Sequence, residues 1–489
     1  MPRSSGQSVS TSSRASCGDV DPSPRQRYCT SRSAAAGLEL GDLDRARDAF
    51  DSIRDKNIFS WTLLFTAFAQ LGYLAEARAI FDAMPGKDVV AWTAMLAAYS
   101  QHGFVDLAKD LFDRIPGRRD TAAWNAMIAG YDQNCLFREA ISTYRSMLQE
   151  GSRPNQTTIV SVLDACAGIG DLDQGIAVHA LCVIAGVDRE STVGAALVNM
   201  YGKCGQLVPA RAILDKMYEK DLLALTAMLT AYAHSGHPHD ALKLFVTMDL
   251  EGIQSDHVAF VGALHACTSI SAVATGKIIH EGLRFTAAAN SPSVANSLVA
   301  FYGKCGYLED ARGIFDGISR KSCLTWNTML GIYSNNGFFQ LTLELYLEMS
   351  LDGVLPDEIT FVILLSACSH GGMIRDGCYH FASIKQEFCQ IPVKEHYMCV
   401  LDLLSRSGQL QEAEDFFLGS DIEVVRSSYL MDTKKTALCW TTLLSASKVH
   451  GDSERGKRAG HNAVLLDRFA SCDASGVYML LSDIYNARN

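Results

Sequence analysis

Residues 297–318, SLVAFYGKCGYLEDARGIFDGI, match residues 196–217, ALVNMYGKCGQLVPARAILDKM, column for column. Each copy holds an apolar run, a glycine, an alanine five residues on, and a bulky apolar residue four further. Extending this register both ways gives units beginning at Ile58, Val89, Thr121, Gln156, Ser191, Leu222, His257, Pro292, Cys323, Glu358 and Lys394, spaced by 31 to 36 residues. Position 15 of the units is glycine in nine of eleven, Cys135 and Ser271 being the exceptions. Position 20 is small throughout, from Ala77 to Ala413, and position 24 is bulky, from Phe81 to Phe417. A glycine after a helical run supplies the left-handed residue that ends a helix. The small residue is expected to let the second helix approach the first, and the bulky one to fill the space between neighbouring hairpins. A lone helix–turn–helix cannot bury its apolar face. The fold class expected is therefore all-α, a right-handed α-solenoid of stacked helix–turn–helix repeats with a concave inner groove.

Bulk properties narrow the function. At 489 residues and 48% apolar content, the chain is too long for one ordinary core and apolar enough to fold over most of its length. No run of eighteen apolar residues occurs, so no membrane span is expected. A formal charge of −11 excludes a non-specific basic coat for nucleic acid, but not sequence-specific binding along one face. Fifteen cysteines include no C-x-x-C, and no H-x-E accompanies them, which excludes zinc-knuckle and zinc-deaminase signatures. Cys166, Cys267 and Cys368 recur at position 11, and Cys204 and Cys305 at position 14, as packing residues of a reducing compartment would. His234, His237 and His239 fall with glycine and proline in an inter-helix turn and read as surface. No cofactor or metal is expected. Residues 1–36 hold ten serines, five arginines and two acids, the composition of a disordered segment or organellar transit peptide.

Unit lengths cycle through 35, 35 and 31. The strings VVAWTAMLAAYSQHGFVDLAKDLFDRIP (89–116), CLTWNTMLGIYSNNGFFQLTLELYLEM (323–349), PDEITFVILLSACSHGGMIRDG (356–377) and EHYMCVLDLLSRSGQLQEAEDFF (395–417) follow that cycle. In these features the chain resembles the plant organellar pentatricopeptide-repeat family, in its long-and-short-motif (PLS) subclass. ALCWTTLLSASKVHG (437–451) and SGVYMLLSDIY (475–485) resemble the E-type extension of its RNA-editing branch. The layout expected is a degenerate first repeat at 37–57, an array at 58–424 and a truncated E-type extension at 436–489, with no DYW deaminase domain. The link around Asp421–Lys435 is longer than the family's usual one.

The resemblance implies that each repeat reads one RNA base with the fifth residue of its first helix and the last residue of its motif. Here these are Thr62 with Asp88, Thr93 with Asp120, Asn125 with Asn155, Thr226 with Asp256, Asn296 with Ser322, and Asn327 with Asp357. Ala195 with Asp221 lacks a polar fifth residue and is expected to read weakly. Helix capping would also explain Thr and Asn near helix starts. Against it, the full long motifs place Val160, Val261 and Val362 at the fifth position, an alternation that capping would not produce. An Asn amide can pair with a pyrimidine edge while Asp holds it in one orientation; a shorter Thr leaves room for a purine. By the family's code the target is G-G-C-n-n-G-n-C-U-n-n. Position 2 (Val90, Leu223, Leu324) would either sandwich bases or pack between repeats, and position 13 (Gln70, Gln101, Lys203, Lys304, Arg406) would either touch phosphate or stand as solvated helix ends.

The function expected is that of a specificity factor for C-to-U editing of a mitochondrial or chloroplast transcript. Its partners would be single-stranded organellar RNA and a DYW-type deaminase or other editing factors acting in trans. An RNA stabiliser, processing or translation factor, a gene product whose full chain carries its own deaminase, and a tetratricopeptide-like protein scaffold are the alternatives.

Overall fold

The computed structural model describes residues 43–53, 56–117, 119–419, 433–470 and 479–480. The expected segment 1–36, most of the long link and most of 475–485 lie outside these residues. Described secondary structure is helical, without a strand. Each of the eleven unit starts is the first residue of a helix, from Ile58–Gln70 to Lys394–Arg406. Each such helix is followed by a second, from Leu74–Ala83 to Leu410–Leu418. The fold is an all-α solenoid. Contacts divide it into two compact bodies, one ending at Ala231 and the other beginning at Tyr232.

All eleven position-15 residues are left-handed, including the two that are not glycine, Cys135 (φ 58°) and Ser271 (φ 52°). The turn geometry is thus imposed by the hairpin, and glycine is the residue that accepts it at least cost. The position-20 side chains Ala77, Ala108, Ala140, Ala210, Ala241, Ala311, Thr342 and Ala413 are fully buried. Their neighbour differs from the one expected. A methyl group on Gly175, Gly276 or Gly377 would strike Met200, Phe301 or Leu403, all on the first helix of the following hairpin. The small residue therefore sets the spacing between hairpins as well as within one.

Position 24 does fill the inter-hairpin space. Phe50, Phe81, Phe112, Phe315 and Phe417 meet Trp61, Trp92, Trp124, Trp326 and Trp440 edge-on, with ring centroids 4.8 to 5.1 Å apart. These are all five tryptophans of the chain. Cations cover four of these pairs: Lys56, Lys87, Arg119 and Lys321 lie 4.7 to 5.2 Å from the phenylalanine centroids. In the second body one apolar core runs from Phe260 through Ala463. Helices Thr433–Val449 and Ser453–Ala470 thus continue the stack.

Candidate nucleic-acid interface

The first helices pack against one another in a row within each body, so their outward sides form one face. Side chains at positions 2, 5, 9 and 13 of a helix share a side. Position 2 is open to solvent: Val90, Leu223 and Leu324 are 62%, 65% and 64% exposed. Residues placed there for packing would be covered.

The motif-end residues take the role that capping assigns. Asp88, Asp120 and Asp256 accept at Oδ1 from the backbone N–H of Ala91, Ala123 and Ala259 at 2.8 to 2.9 Å. Asn155 and Asp357 accept from Thr158 and Thr360 at 3.1 and 2.8 Å, and Ser322 Oγ from Thr325 at 3.3 Å. Capping therefore accounts for the motif-end member of each pair, while the fifth residue lies a full turn inside its helix.

The fifth residues fall into distinct states. Asn125 Nδ2 donates to Asn155 Oδ1, and Asn327 Nδ2 to Asp357 Oδ1, both at 2.9 Å. One residue from each of two successive hairpins is joined in this way. Thr62 and Thr93 instead donate to the carbonyls of Ile58 and Val89, each at 2.9 Å, leaving hydroxyl lone pairs as acceptors. Asn296 Oδ1 and Thr226 Oγ1 are buried and have no hydrogen-bond partner among the described residues. Thr226 belongs to the first body and Asp256 to the second. At Ala195 the hydroxyl of Ser191 bonds to Asp221 Oδ2 and occupies the carboxylate that a polar fifth residue would have met.

The electrostatics follow burial. Burial alone would raise the Asp357 carboxyl, but the Thr360 amide and the Asn327 and Thr360 side chains hold it below the usual carboxylate range. Asp132 is pushed up to about 6 by burial and by Asp164, with Lys203 opposing. Asp164 is raised by burial against the pull of Asn199 and Lys203. The position-11 thiols are buried, and chiefly by desolvation Cys166 and Cys368 are pushed up to about 12 and Cys267 to about 11. Position 13 carries the exposed side chains Gln70, Gln101, Lys203, Lys304 and Arg406 at the helix ends. His234 stacks on His265 with centroids 4.8 Å apart, and His237 faces Asp240 at 3.4 Å.

Sequence reasoning missed the third member of the two joined pairs. Thr158 and Thr360 each accept from a cap backbone N–H at 3.1 Å and reach the asparagine of the preceding repeat. The signal was present as Thr three residues after the cap.

Comparisons with known proteins fall on the same hairpins. The PPR repeat family profile matches residues 119–168 and 321–370, and the PPR repeat profile matches 59–89, 90–119, 224–253, 293–323 and 395–418. The Arabidopsis thaliana pentatricopeptide repeat-containing protein At2g33680 is 33% identical over 76% of this chain and 49% of its own length. The chloroplastic pentatricopeptide repeat-containing protein At1g08070 of the same plant is 33% identical over 70% of this chain and 44% of its own length. The chain thus spans about half or less of the length of these relatives. Among solved structures, the maize pentatricopeptide repeat protein PPR10 superposes with a TM-score of 0.64 at 18% identity, over 92% of this chain and 65% of that one. With the repeat profiles, the relatives and the fold in agreement, the chain belongs to the pentatricopeptide-repeat family.

Proposed function

We propose that the chain binds one single-stranded RNA by sequence, one base per repeat, along the face of its first helices. The observation that carries this reading is the paired geometry at Asn125–Asn155 and Asn327–Asp357, where a fixed amide is presented by two successive hairpins. The exposure of Val90, Leu223 and Leu324 supports it, since apolar side chains on that face suit stacking against bases. So does the likeness to PPR10, a structure of which holds an 18-nt psaJ RNA element. Thr62, Thr93, Asn125, Thr226, Asn296 and Asn327 would read bases together with Asp88, Asp120, Asn155, Asp256, Ser322 and Asp357. The biological role that fits is a site-specificity factor for C-to-U editing in an organelle, with a deaminase acting in trans. The tail's resemblance to E-type extensions and the chloroplastic names of several relatives support that role.

The test is binding of the chain to an RNA carrying G-G-C-n-n-G-n-C-U against one with those six specified bases scrambled. Tight binding to the first alone is expected. Equal weak binding to both would refute base reading and favour a protein-binding scaffold.

A further inference from the structure

Two threonines outside the paired positions contact the base-facing amides. Thr360 is fully buried, and its Oγ1 donates to Asn327 Oδ1 at 2.7 Å. Thr158 is fully buried as well and donates to Asn125 Oδ1. Each hydroxyl also lies 2.9 to 3.0 Å from the cap residue's Oδ1, but it has a single proton and its shorter contact is to the asparagine. The amide of Asn327 is thereby held at both ends, by Asp357 at Nδ2 and by Thr360 at Oδ1. Flipping it would set its oxygen against the carboxylate and its N–H₂ against the hydroxyl proton. At Asn125 one N–H and one lone pair then remain, in fixed places, for a base edge; at Asn327 a lone pair remains, and the second N–H donates to Cys323 Sγ at 3.6 Å, a weak acceptor that a base edge can replace.

The sequence carries the same rule independently. Where the fifth residue is Asn (125, 296, 327), the third residue of the following unit is Thr (158, 325, 360). Where it is Thr (62, 93, 226), the corresponding residue is Ala (91, 123, 259). Unit class does not explain this, because the three long units starting at Gln156, His257 and Glu358 carry Thr158, Ala259 and Thr360. A threonine at the fifth position has no amide to flip and needs no third group.

From these contacts and this covariation within one chain we infer that Thr158 and Thr360 are positioning residues for specificity, each locking the amide orientation of the asparagine one repeat earlier, and that Thr325 holds the corresponding place after Asn296. The inference rests on the base-reading function proposed above. At Asn296 the lock is open: Thr325 Oγ1 lies 3.0 Å from Ser322 Oγ, and Asn296 Oδ1 is left without a partner.

The experiment uses the full chain and RNAs that differ only at the ninth base, opposite Asn327. T360V removes the hydroxyl and keeps the shape; T360S keeps the hydroxyl. T360V is expected to lose about tenfold of the discrimination for U, the worth of one buried hydrogen bond, and T360S to retain it. N327T/T360A is expected to prefer G as sharply as the parent prefers U. If T360V lowers the melting temperature but leaves base discrimination intact, Thr360 only caps its helix and the inference is overturned. N327T alone separates the two levels. A shifted preference in N327T with unchanged T360V defeats the lock and spares base reading, whereas an unchanged preference in N327T defeats both. Should T360V fail to fold, T158V read at the third base tests the same contact, with the same two outcomes.

Discussion

A methyl group added at Gly276 would stand 2.1 Å from Phe301 Cζ, and one at Gly175 would stand 2.5 Å from Met200 Sδ. The two glycines occupy the same column, yet their neighbours differ in what they can yield. Phe301 is fully buried and rigid, with Tyr302 packed edge-on 5.0 Å away, whereas a thioether can change rotamer. Gly276→Ala should therefore cost about 2 kcal/mol of overpacking, and Gly175→Ala should be close to neutral, because alanine's helix propensity returns about 1 kcal/mol. Denaturant titration of the two variants checks the order; equal losses would mean that the neighbouring side chain does not set the cost. Cys135 and Ser271 show the opposite tolerance, since a left-handed side chain costs only about 1 kcal/mol when solvent lies beyond it. A small residue is legible from its column. Which helix it faces is not, because the spacing of one strand of sequence does not say which neighbour comes nearest.

At the scale of an element, the helix pair after the repeats is held by one buried carboxylate. Glu414, at the end of the array, accepts from Arg455 Nε at 2.7 Å and from Arg458 at 2.9 Å, while Arg455 also bonds Asp452 and Gln411. Trp440 adds its edge-on contact with Phe417. Removing the carboxylate leaves the largely buried Arg455 without its main partner. Glu414→Ala should therefore cost about 3 kcal/mol locally and speed hydrogen exchange in helices Thr433–Val449 and Ser453–Ala470, while Arg458→Ala, more exposed, should cost far less. Burial acts to raise Glu414, but the two arginines win and hold it below the usual carboxylate range. A depressed folded-state value contributes stability above the unfolded one, near pH 4.5, and loses it as pH falls. Protection of this hairpin should accordingly fade in acid in the parent and show no such step in Glu414→Ala. The boundaries of the elements were legible because the eleven helix starts follow one register. The contacts joining them were less so. Trp61, Trp92, Trp124 and Trp326 each have Lys or Arg five residues before them, the mark of the loop cation over the Phe–Trp pair, which becomes readable only once the pairs are seen in space. The paired residues proposed to read bases were named from resemblance, but the capping contacts of their motif-end members and the threonine contacts to the asparagine amides came from geometry.

For the molecule as a whole, the net charge of −11 must be reconciled with the proposed binding of a polyanion. Among the position-13 residues the fixed cations are Lys203, Lys304 and Arg406, and Arg406 already leans on Asp402 at 2.8 Å. Asp132 and Asp164 lie on first helices as well, and Lys203 acts on both of them. About three phosphates can be neutralised by this set, so the logarithm of affinity should fall against the logarithm of salt with a slope of about −2. Affinity would then come mainly from base edges and stacking, which salt does not screen, and a mismatched base should cost nearly the same at 50 mM as at 300 mM salt, concentrations of about those values spanning the counterion effect. Titrating the cognate and scrambled RNAs across that range measures both quantities at once. A slope of about −6 would mean that phosphates carry the complex, and the discrimination between the two RNAs should then be small at every salt concentration. Lys304→Ala sharpens the test: on a face with so few cations its removal should flatten the slope by about one third and weaken both RNAs equally, leaving the preference at each base unchanged.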